Sequence, residues 1–197
     1  MKLRSVRGTH DLFGDNIEKY NIIQKVVTKF AEINSFKKLE TPIFEFTELF
    51  SKPLGEQSDV VLKEMYTFKD RNEDFLTLRP EYTTPMIRAA LTNNLLNDLP
   101  LKVFGIGPMF RRERPQKGRF RQFNQINFEI FGSNDCIADL ELINLANDIL
   151  KSTLPNTKFI LNINSLGKKQ NLIKYKEYLS KYFEDKKSKL SSESRNK

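Results

Sequence analysis

Side chains that bind metals or form disulfide bonds are almost missing from this sequence. Its 197 residues include a single cysteine, Cys136, and a single histidine, His10. One cysteine cannot form an internal disulfide bond, and this composition fits a reducing compartment. Zinc sites are built from several thiolates and imidazoles, so this composition nearly excludes one, and no metal-ligating residues are predicted.

Long apolar runs are also missing. No stretch approaches the roughly 20 apolar residues that span a bilayer, and residues 1–10 lack the apolar stretch of a secretion signal. We therefore expect a soluble, cytoplasmic protein with no membrane partner. The hydrophobic content of 39% and the 16 phenylalanines are sufficient for a globular core.

Positive charge is concentrated near the end of the chain. The formal net charge is +8, which favours a polyanionic partner. Residues 168–197 contain ten Lys or Arg and four Asp or Glu, so they carry +6 of this excess. This segment is either an RNA-binding tail or an amphipathic helix with a solvated lysine face. The rest of the chain is almost balanced, so its arginines matter by position.

Apolar periodicity predicts helices alternating with hairpin-like strands. The predicted helices run from a capping box at Asp15 to Ile33, from Pro85 with Thr84 as the cap, from about Ile137 to Leu150, and from about Lys169 to Leu190. The predicted extended segments are KLETPIFEF, MYTF, FLTLR, LKVFGIGPMFRRE, FRQFNQINFEIFG and KFILNIN. This order indicates an α+β fold with an antiparallel sheet flanked by helices.

The predicted strand FRQFNQINFEIFG has two different faces, because side chains two residues apart point the same way. The apolar face, which is predicted to enter the core, consists of Ile126, Phe128 and Ile130. The opposite face consists of Phe123, Gln125, Asn127 and Glu129. This mostly polar row either meets water, as in many one-sided antiparallel sheets, or lines a pocket.

Arginines cluster just before this strand and at its start. They are Arg111, Arg112, Arg114, Arg119 and Arg121. Their planar guanidinium groups suit phosphate and are costly to crowd together without an anion. The segment TLRPEYTT adds Arg79, Glu81 and Thr83 at a strand-to-helix junction. An aromatic ring, several guanidinium groups and nearby carboxylates together predict a site for a nucleotide and a small cation.

These segments resemble one known family. FRRERPQKGRFRQFNQINFE is similar to the second signature motif of class II aminoacyl-tRNA synthetases, in the form carried by histidyl-tRNA synthetases. TLRPEYTT resembles that family's amino-acid-binding segment, and VRGTHDLFGD and GEQSDVVLKEMYTFKDR resemble other parts of it. KKLETPIFE is similar to the first class II motif, whose proline, here Pro42, lies at the dimer interface. The resemblance extends to LNINSLG and implies a class II fold and a homodimer.

The resemblance also implies the substrates, which are histidine, ATP with Mg²⁺, and tRNA(His). ATP would be bound by Arg111, Glu113, Arg119 and Phe123, with Arg111 as the catalytic residue at the α-phosphate, Arg119 at the γ-phosphate and Phe123 stacked on adenine. Histidine would be bound by Glu81, Thr83, Gln125 and Glu129. The tRNA acceptor stem would contact Arg114, Gln116 and Lys117, although Lys117 is equally compatible with a solvated loop lysine.

The expected chemistry suits these residue types. Activation of an amino acid transfers an adenylyl group, so the protein mainly positions two reactants and stabilises charge on phosphorus. Arginines and Mg²⁺ can supply this stabilisation. A nucleophilic side chain is not required, and the lack of a Ser/His/Asp constellation does not count against the reading.

The sequence also departs from the family in several places. Tyr82 follows Glu81 where many members have glycine, and Asn124, on the face opposite Gln125, stands where a histidine is frequent. Nothing resembles the histidine-specific segment, the third class II motif or the anticodon-binding domain. We therefore interpret residues 1–166 as a partial catalytic domain and 167–197 as a basic helical segment, either the start of an inserted region or a tail. The chain alone is expected to be inactive or very weakly active.

One alternative keeps the fold and changes the function. A synthetase-like regulatory subunit of histidine biosynthesis would sense histidine and would have no need for residues that bind ATP. The four predicted ATP-binding side chains are all present in this sequence. Their presence favours the enzyme.

Overall fold

The computed structural model describes residues 3–54, 64–165 and 167–195. The chain divides into two compact units, Met1–Thr157 and Lys158–Lys197. The first unit contains two three-stranded sheets and four helices among its described residues. The predicted α+β class with helices flanking antiparallel strands is confirmed. Part of the segment GEQSDVVLKEMYTFKDR, residues 55–63, lies outside the described residues.

The larger sheet carries the polar row. Strands β5 (Leu101–Phe110) and β6 (Gln122–Phe131) pair antiparallel along their full length, as predicted from their sequences. The short strand β1 (Lys37–Lys38) pairs parallel with β5 on its other side. The sheet order is therefore β1-β5-β6.

The smaller sheet has the order β2-β4-β3 and is entirely antiparallel. Its strands are β2 (Phe44–Phe46), β3 (Tyr66–Lys69) and β4 (Phe75–Leu78), and helix α2 (Thr47–Leu54) follows β2. The predicted hairpin of MYTF and FLTLR is confirmed. The buried hydroxyl of Thr77 in β4 lies 2.8 Å from the hydroxyl of Thr47 and 3.0 Å from that of Thr67, which ties β4 to the start of α2 and to β3.

Two helices cover the even-numbered face of β5 and β6. They are α1 (Asp15–Ile33) and α4 (Cys136–Thr153). Their buried side chains meet those of the sheet in one core cluster, composed of Val27, Ala31, Phe36, Phe104, Leu145 and Ile149. Phe128 and Ile130 pack against this cluster as predicted. Ile126 lies nearer the start of β6 and stays 38% exposed, so the prediction that it enters the core is wrong.

Helix α3 (Thr83–Thr92) belongs to the core cluster on the odd-numbered face of the same sheet. This cluster contains Tyr82, Met86, Ala90, Leu101, Val103 and Met109. Phe123 and Phe131 of β6 pack against it. The face that carries the polar row is therefore partly covered by the segment that was predicted to bind the amino acid.

Three local predictions are wrong. Helix α1 begins after Gly14 as the N-cap and shows no side-chain cap, so the capping box at Asp15 does not form. Helix α3 begins at Thr83, which places Thr84 inside it rather than at its cap. KFILNIN forms no strand, because strand propensity needs a paired neighbour and no described strand lies beside this segment.

The second unit is helical. It contains α5 (Lys169–Asp185) and the short α6 (Ser192–Arg195), separated by a 3-10 turn at Lys187–Lys189. The predicted basic helix is confirmed, with its end earlier than Leu190. Another 3-10 turn, Leu95–Asn97, follows α3 in the first unit.

Candidate active site

The arginine loop, residues 111–121, connects β5 to β6 and is held at its base. The amide of Arg111 donates to the carbonyl of Arg121 at 2.9 Å, which extends the strand ladder by one pair. Gln116 and Arg119 exchange backbone hydrogen bonds of 3.3 and 2.9 Å near the tip. The amide of Arg112 donates to the carbonyl of Glu64 at 2.6 Å. The loop is thus an ordered continuation of the hairpin.

The side chain of Arg111 turns towards the predicted site. Its Nε donates to the carbonyl of Pro80 at 2.8 Å, and its Cζ lies 5.1 Å from the centre of the Phe123 ring. This distance is typical of a cation–π contact. The contact brings the guanidinium group predicted to meet the α-phosphate together with the ring predicted to stack on adenine.

Glu113 and Arg119, two predicted ATP-binding residues, bind each other. Arg119 Nη1 donates to Glu113 Oε2 at 3.0 Å. The Glu113 side chain is 17% exposed and that of Arg119 is 63% exposed. The carboxylate is therefore mostly buried, whereas most of the arginine side chain that pairs with it is exposed to solvent.

The polar row forms a continuous hydrogen-bonded chain along β6. Gln125 Nε2 donates to Asn127 Oδ1 at 3.1 Å, and Asn127 Nδ2 donates to Glu129 Oε1 at 2.7 Å. Thr83 at the start of α3 donates its hydroxyl proton to the same Glu129 oxygen at 2.6 Å. All four side chains are half-buried. The row is therefore neither fully solvated nor fully buried.

Glu81 lies at the N-terminal end of α3. Its two carboxylate oxygens accept hydrogen bonds from the amide of Thr84 at 3.0 and 3.3 Å. The backbone amides at this end of a helix otherwise lack partners and carry partial positive charge. Glu81 consequently stabilises the helix start while its carboxylate remains half-buried beside Thr83.

Arg79 and Tyr82 pack against β5 on the face of the sheet that carries the polar row. Arg79 is 3% exposed and donates to carbonyl oxygens of Thr41 at 2.9 Å and Pro108 at 3.0 Å. Its Cζ lies 4.2 Å from the centre of the Tyr82 ring. Together these contacts tie the segment before α3 to β5 and to the chain that precedes β2.

Comparison with known proteins identifies the family. The chain matches the model of the family described as histidyl-tRNA synthetase over residues 8–186. It is 45% identical, over all of its 197 residues, to the histidine–tRNA ligase of Wolbachia pipientis subsp. Culex pipiens, of which it covers 48%. This chain belongs to the histidyl-tRNA synthetase family. It spans about half the length of the curated relatives it matches.

Solved structures show the same fold. The apo histidyl-tRNA synthetase of S. aureus matches with a TM-score of 0.64 and 29% identity, covering 77% of this chain and 40% of that one. A Bacillus halodurans protein described as an ATP phosphoribosyltransferase regulatory subunit/histidyl-tRNA synthetase matches with a TM-score of 0.67 and 22% identity. That match covers 78% of this chain and 38% of the Bacillus protein, and it shows the fold alone.

Two of the family departures can now be placed. Tyr82 is buried in the α3 cluster, while Glu81 and Thr83 on either side of it in the chain are half-buried. Asn124 faces α1, where it accepts a hydrogen bond of 3.4 Å from the hydroxyl of Tyr20. Burial raises the pKa of Tyr20, and the nearby Lys38 acts in the opposite direction.

The predicted tRNA contacts Arg114, Gln116 and Lys117 are all exposed on the arginine loop. Gln116 and Lys117 line an open groove of about 600 Å³ shared with Gly8, Thr9 and His10. Pro42, the predicted dimer residue, is exposed, as are the neighbouring side chains of Ile43 and Phe44.

Sequence reasoning missed two contributors. Asn127 links Gln125 to Glu129, and its place between them in the polar row could have suggested this. Gly8 contacts Arg121 across the fold, which no local pattern indicates. Within residues 3–54, 64–165 and 167–195, no cluster of three or more His, Cys, Asp or Glu could hold a metal ion. In the same ranges no helix is long and apolar enough to cross a membrane.

Proposed function

We propose that this chain carries the histidine- and ATP-binding part of a histidine–tRNA ligase. The reaction joins histidine to the α-phosphate of ATP, releases pyrophosphate and then passes the histidyl group to tRNA(His). One observation carries the proposal. The Arg111–Phe123 contact and the Gln125–Asn127–Glu129 chain lie on neighbouring positions of one strand face, beside the start of α3.

Arg111 is the proposed catalytic residue. Its Nε is fixed by the carbonyl of Pro80, which leaves the outer nitrogens of the guanidinium group to contact a phosphate. Negative charge grows on phosphorus as the histidine carboxylate attacks. A pre-positioned guanidinium group stabilises this charge without reorganising, and such electrostatic terms are usually the largest in catalysis.

The other proposed ATP contacts lie in the arginine loop and at the start of β6. Phe123 stacks on adenine, and Glu113 accepts a hydrogen bond from the base. Arg119 leaves Glu113 to bind the γ-phosphate, which exchanges one ion pair for another. The 63% exposure of the Arg119 side chain supports this exchange, because little buried structure has to move.

The polar row suits the histidine side chain. Glu129 Oε1 already accepts from Thr83 and Asn127, so Glu129 Oε2 is the oxygen that can receive an imidazole N–H. Gln125 completes the pocket with its amide. The hydroxyl of Thr83 has donated its proton to Glu129, so its oxygen can accept from the α-ammonium group together with Glu81.

Mg²⁺ fits as part of the substrate. The carboxylate of Glu113 is paired with Arg119, and that of Glu129 accepts two hydrogen bonds. These residues, as the described part of the chain arranges them, do not form a resident metal site. We therefore assign Mg²⁺ to the phosphates of ATP, whose charge it would neutralise.

The proposal also covers the partners. The arginine loop would meet the tRNA acceptor stem through Arg114, Gln116 and Lys117, with phosphate contacts setting position and Gln116 reading a base edge. The exposed surface at Pro42 would pack against a second copy to form a homodimer. Residues 1–166 form the catalytic portion and 167–197 a helical segment, within a cytoplasmic protein.

Histidine-dependent ATP–pyrophosphate exchange tests the proposal, with circular dichroism to confirm folding. The control is Glu81→Gln, which removes the charge but keeps an oxygen for the amide of Thr84. Whatever weak exchange the chain shows should disappear in this variant, and calorimetric binding of histidine that is lost with the substitution supports the site. A folded chain that binds neither histidine nor ATP in calorimetry contradicts it. The same assay tests the expectation that the chain alone has little activity.

Measurements of tRNA binding show whether the arginine loop or the basic tail, residues 168–197, is responsible for it. If the loop is responsible, binding of tRNA persists after deletion of residues 168–197. Lys117→Ala is then expected to reduce the salt slope of log K by about 1. An unchanged slope identifies Lys117 as a solvated loop lysine. Binding that is lost with the tail assigns the interaction to α5.

The regulatory alternative makes a different prediction. A histidine-sensing subunit of histidine biosynthesis would bind histidine and show no response to ATP. Calorimetry with histidine alone, and then with ATP present, separates the two functions. The Arg111–Phe123 contact favours the enzyme, because a histidine sensor has no use for it.

A further inference from the structure

The N-terminal turn, residues 6–10, lies against the arginine loop. Thr9 closes this turn: its amide and its hydroxyl both donate to the carbonyl of Val6, at 2.9 and 2.8 Å. Gly8, inside the turn, has φ of 87°. Residues other than glycine rarely adopt this conformation, so the backbone of the turn by itself favours glycine.

The carbonyl of Gly8 binds the end of the loop. It accepts hydrogen bonds from the amide of Arg121 at 2.8 Å and from that of Gln122 at 3.4 Å. Gln122 is the first residue of β6. These contacts therefore fix the point at which the arginine loop becomes the strand that carries Phe123 and the polar row.

Gly8 also allows close approach. A Cβ atom at this position would lie 2.9 Å from Cγ of Arg121 and 2.9 Å from Cγ of Pro115. Contacts under 3.0 Å force one group to shift, so any larger residue would push the turn and the loop apart. The absence of a side chain at Gly8 thus allows the turn and the loop to approach this closely.

An aromatic pair supports the same junction. The rings of His10 and Phe120 are 4.5 Å apart with an interplanar angle of 66°, which is an edge-to-face arrangement. Phe120 immediately precedes Arg121. The turn therefore holds the loop at two successive residues, once by its backbone and once by a ring.

Through Arg121, the contacts of the N-terminal turn are also linked to the other end of the arginine loop. The carbonyl of Arg121 accepts from the amide of Arg111. We propose that Gly8 is a positioning residue, which holds the arginine loop in the geometry that presents Arg111 and Arg119 to phosphate. What the loop binds rests on the proposed function, while the positioning of the loop can be measured without it.

Two alanine variants separate close contact from backbone strain. Gly8→Ala places a Cβ against the loop at a φ of 87°, whereas Gly14→Ala meets nothing within 4 Å at a φ of 54°. Amide hydrogen exchange of the intact chain is the readout. In Gly8→Ala the amides of Arg121 and Gln122 should exchange roughly fivefold to thirtyfold faster, the factor for losing one or two hydrogen bonds.

Exchange in the Gly14→Ala control, and in the strands β5 and β6 of Gly8→Ala, shows whether the effect is specific to the loop. Gly14→Ala is expected to leave exchange in the loop unchanged. Unchanged exchange in Gly8→Ala overturns the proposal. So does faster exchange throughout β5 and β6, because Gly8 would then support the whole sheet and not the loop.

Ligand titrations test the functional consequence. Gly8→Ala should weaken binding of Mg–ATP and leave binding of histidine unchanged, since Thr83 holds Glu129 independently of the turn. Equal losses for both ligands identify a general fold defect and overturn the positioning role. If the unmodified chain binds neither ligand, the proposed function fails, and hydrogen exchange still decides the inference.

A second variant covers the case in which Gly8→Ala does not fold. His10 is exposed, so His10→Ala should fold while losing the ring contact with Phe120. Faster exchange at Arg121 in His10→Ala supports the positioning role. Unchanged exchange there overturns the supporting role of the ring contact and leaves the carbonyl of Gly8 as the sole anchor that the turn provides.

Discussion

The ring of Tyr82 lies directly over the bare Cα of Gly105. A Cβ atom on Gly105 would stand 2.4 Å from Cε1 of Tyr82 and 2.5 Å from Cε of Met86. Here the tyrosine fills that space, and strand β5 makes room for it by having no side chain at Gly105.

Gly105→Ala is therefore expected to destabilise the protein. Overpacking of a filled core costs about 1–3 kcal/mol, and urea unfolding followed by circular dichroism measures it. In a Tyr82→Ala background the same substitution should cost less, because the clash with the tyrosine ring is removed and only that with Met86 remains. A Gly105→Ala chain with the unfolding midpoint of the original chain would contradict this packing.

Thr83→Val tests the contact between α3 and the polar row. The substitution keeps the shape of the side chain and removes the hydroxyl that donates to Glu129 at 2.6 Å. We expect histidine affinity to fall about fivefold, the value of one hydrogen bond. Thr83→Ser should restore it.

The matched control for this contact is Thr92→Val. Thr92 lies at the other end of α3, and its hydroxyl donates to the carbonyl of Arg88 at 3.0 Å. Calorimetry should show unchanged histidine binding in this variant. Equal losses in both would trace the effect to α3 as a whole.

Arg111→Lys tests the guanidinium group at the proposed α-phosphate site. Lysine keeps the charge but lacks the planar fork that contacts Pro80 and Phe123 together. ATP affinity is expected to fall roughly tenfold to a hundredfold, the range for hydrogen bonds to charged groups. Arg71→Lys, in the turn between β3 and β4, is the control. Unchanged ATP binding in Arg111→Lys would remove this residue from the site.

Asp135→Ala tests the start of α4. Asp135 is the N-cap, and its carboxylate accepts from the amide of Ile137 at 3.0 Å. Loss of such a cap costs about 1 kcal/mol, which thermal unfolding should show. Asp135→Asn keeps an acceptor and should retain most of the stability, and Asp148→Ala, inside the helix, should have little effect.

The central hairpin could be predicted because its signals are local. Alternating residues define both faces of β6, and a loop with proline and glycine joins it to β5, so a short stretch of chain contains the information. The same reasoning placed Gln125 and Glu129 on one face. It did not include Asn127 in the site, because donor and acceptor directions become visible only with side-chain geometry.

Contacts between distant segments could not be predicted. The pairing of Gly8 with Arg121 depends on how α1 places the N-terminal turn, and no pattern near either residue encodes it. The opposite error occurred at KFILNIN, whose residues favour a strand while no described strand lies next to it. Local propensity was wrong there because a strand is defined by its neighbour.

The burial of the Arg79 side chain has an electrostatic consequence. It is a buried cation whose hydrogen-bond acceptors are carbonyl oxygens and the Thr41 hydroxyl, and among the described residues no carboxylate forms an ion pair with it. One guanidinium nitrogen lies 2.4 Å from where Gly107, the strand partner of Gln125, would carry a Cβ. The core beside the polar row thus holds a positive charge that oxygen acceptors and the Tyr82 ring stabilise without a carboxylate partner among the described residues, and an anion bound nearby would interact favourably with it. Folding and anion binding should accordingly be linked, each raising the equilibrium constant of the other.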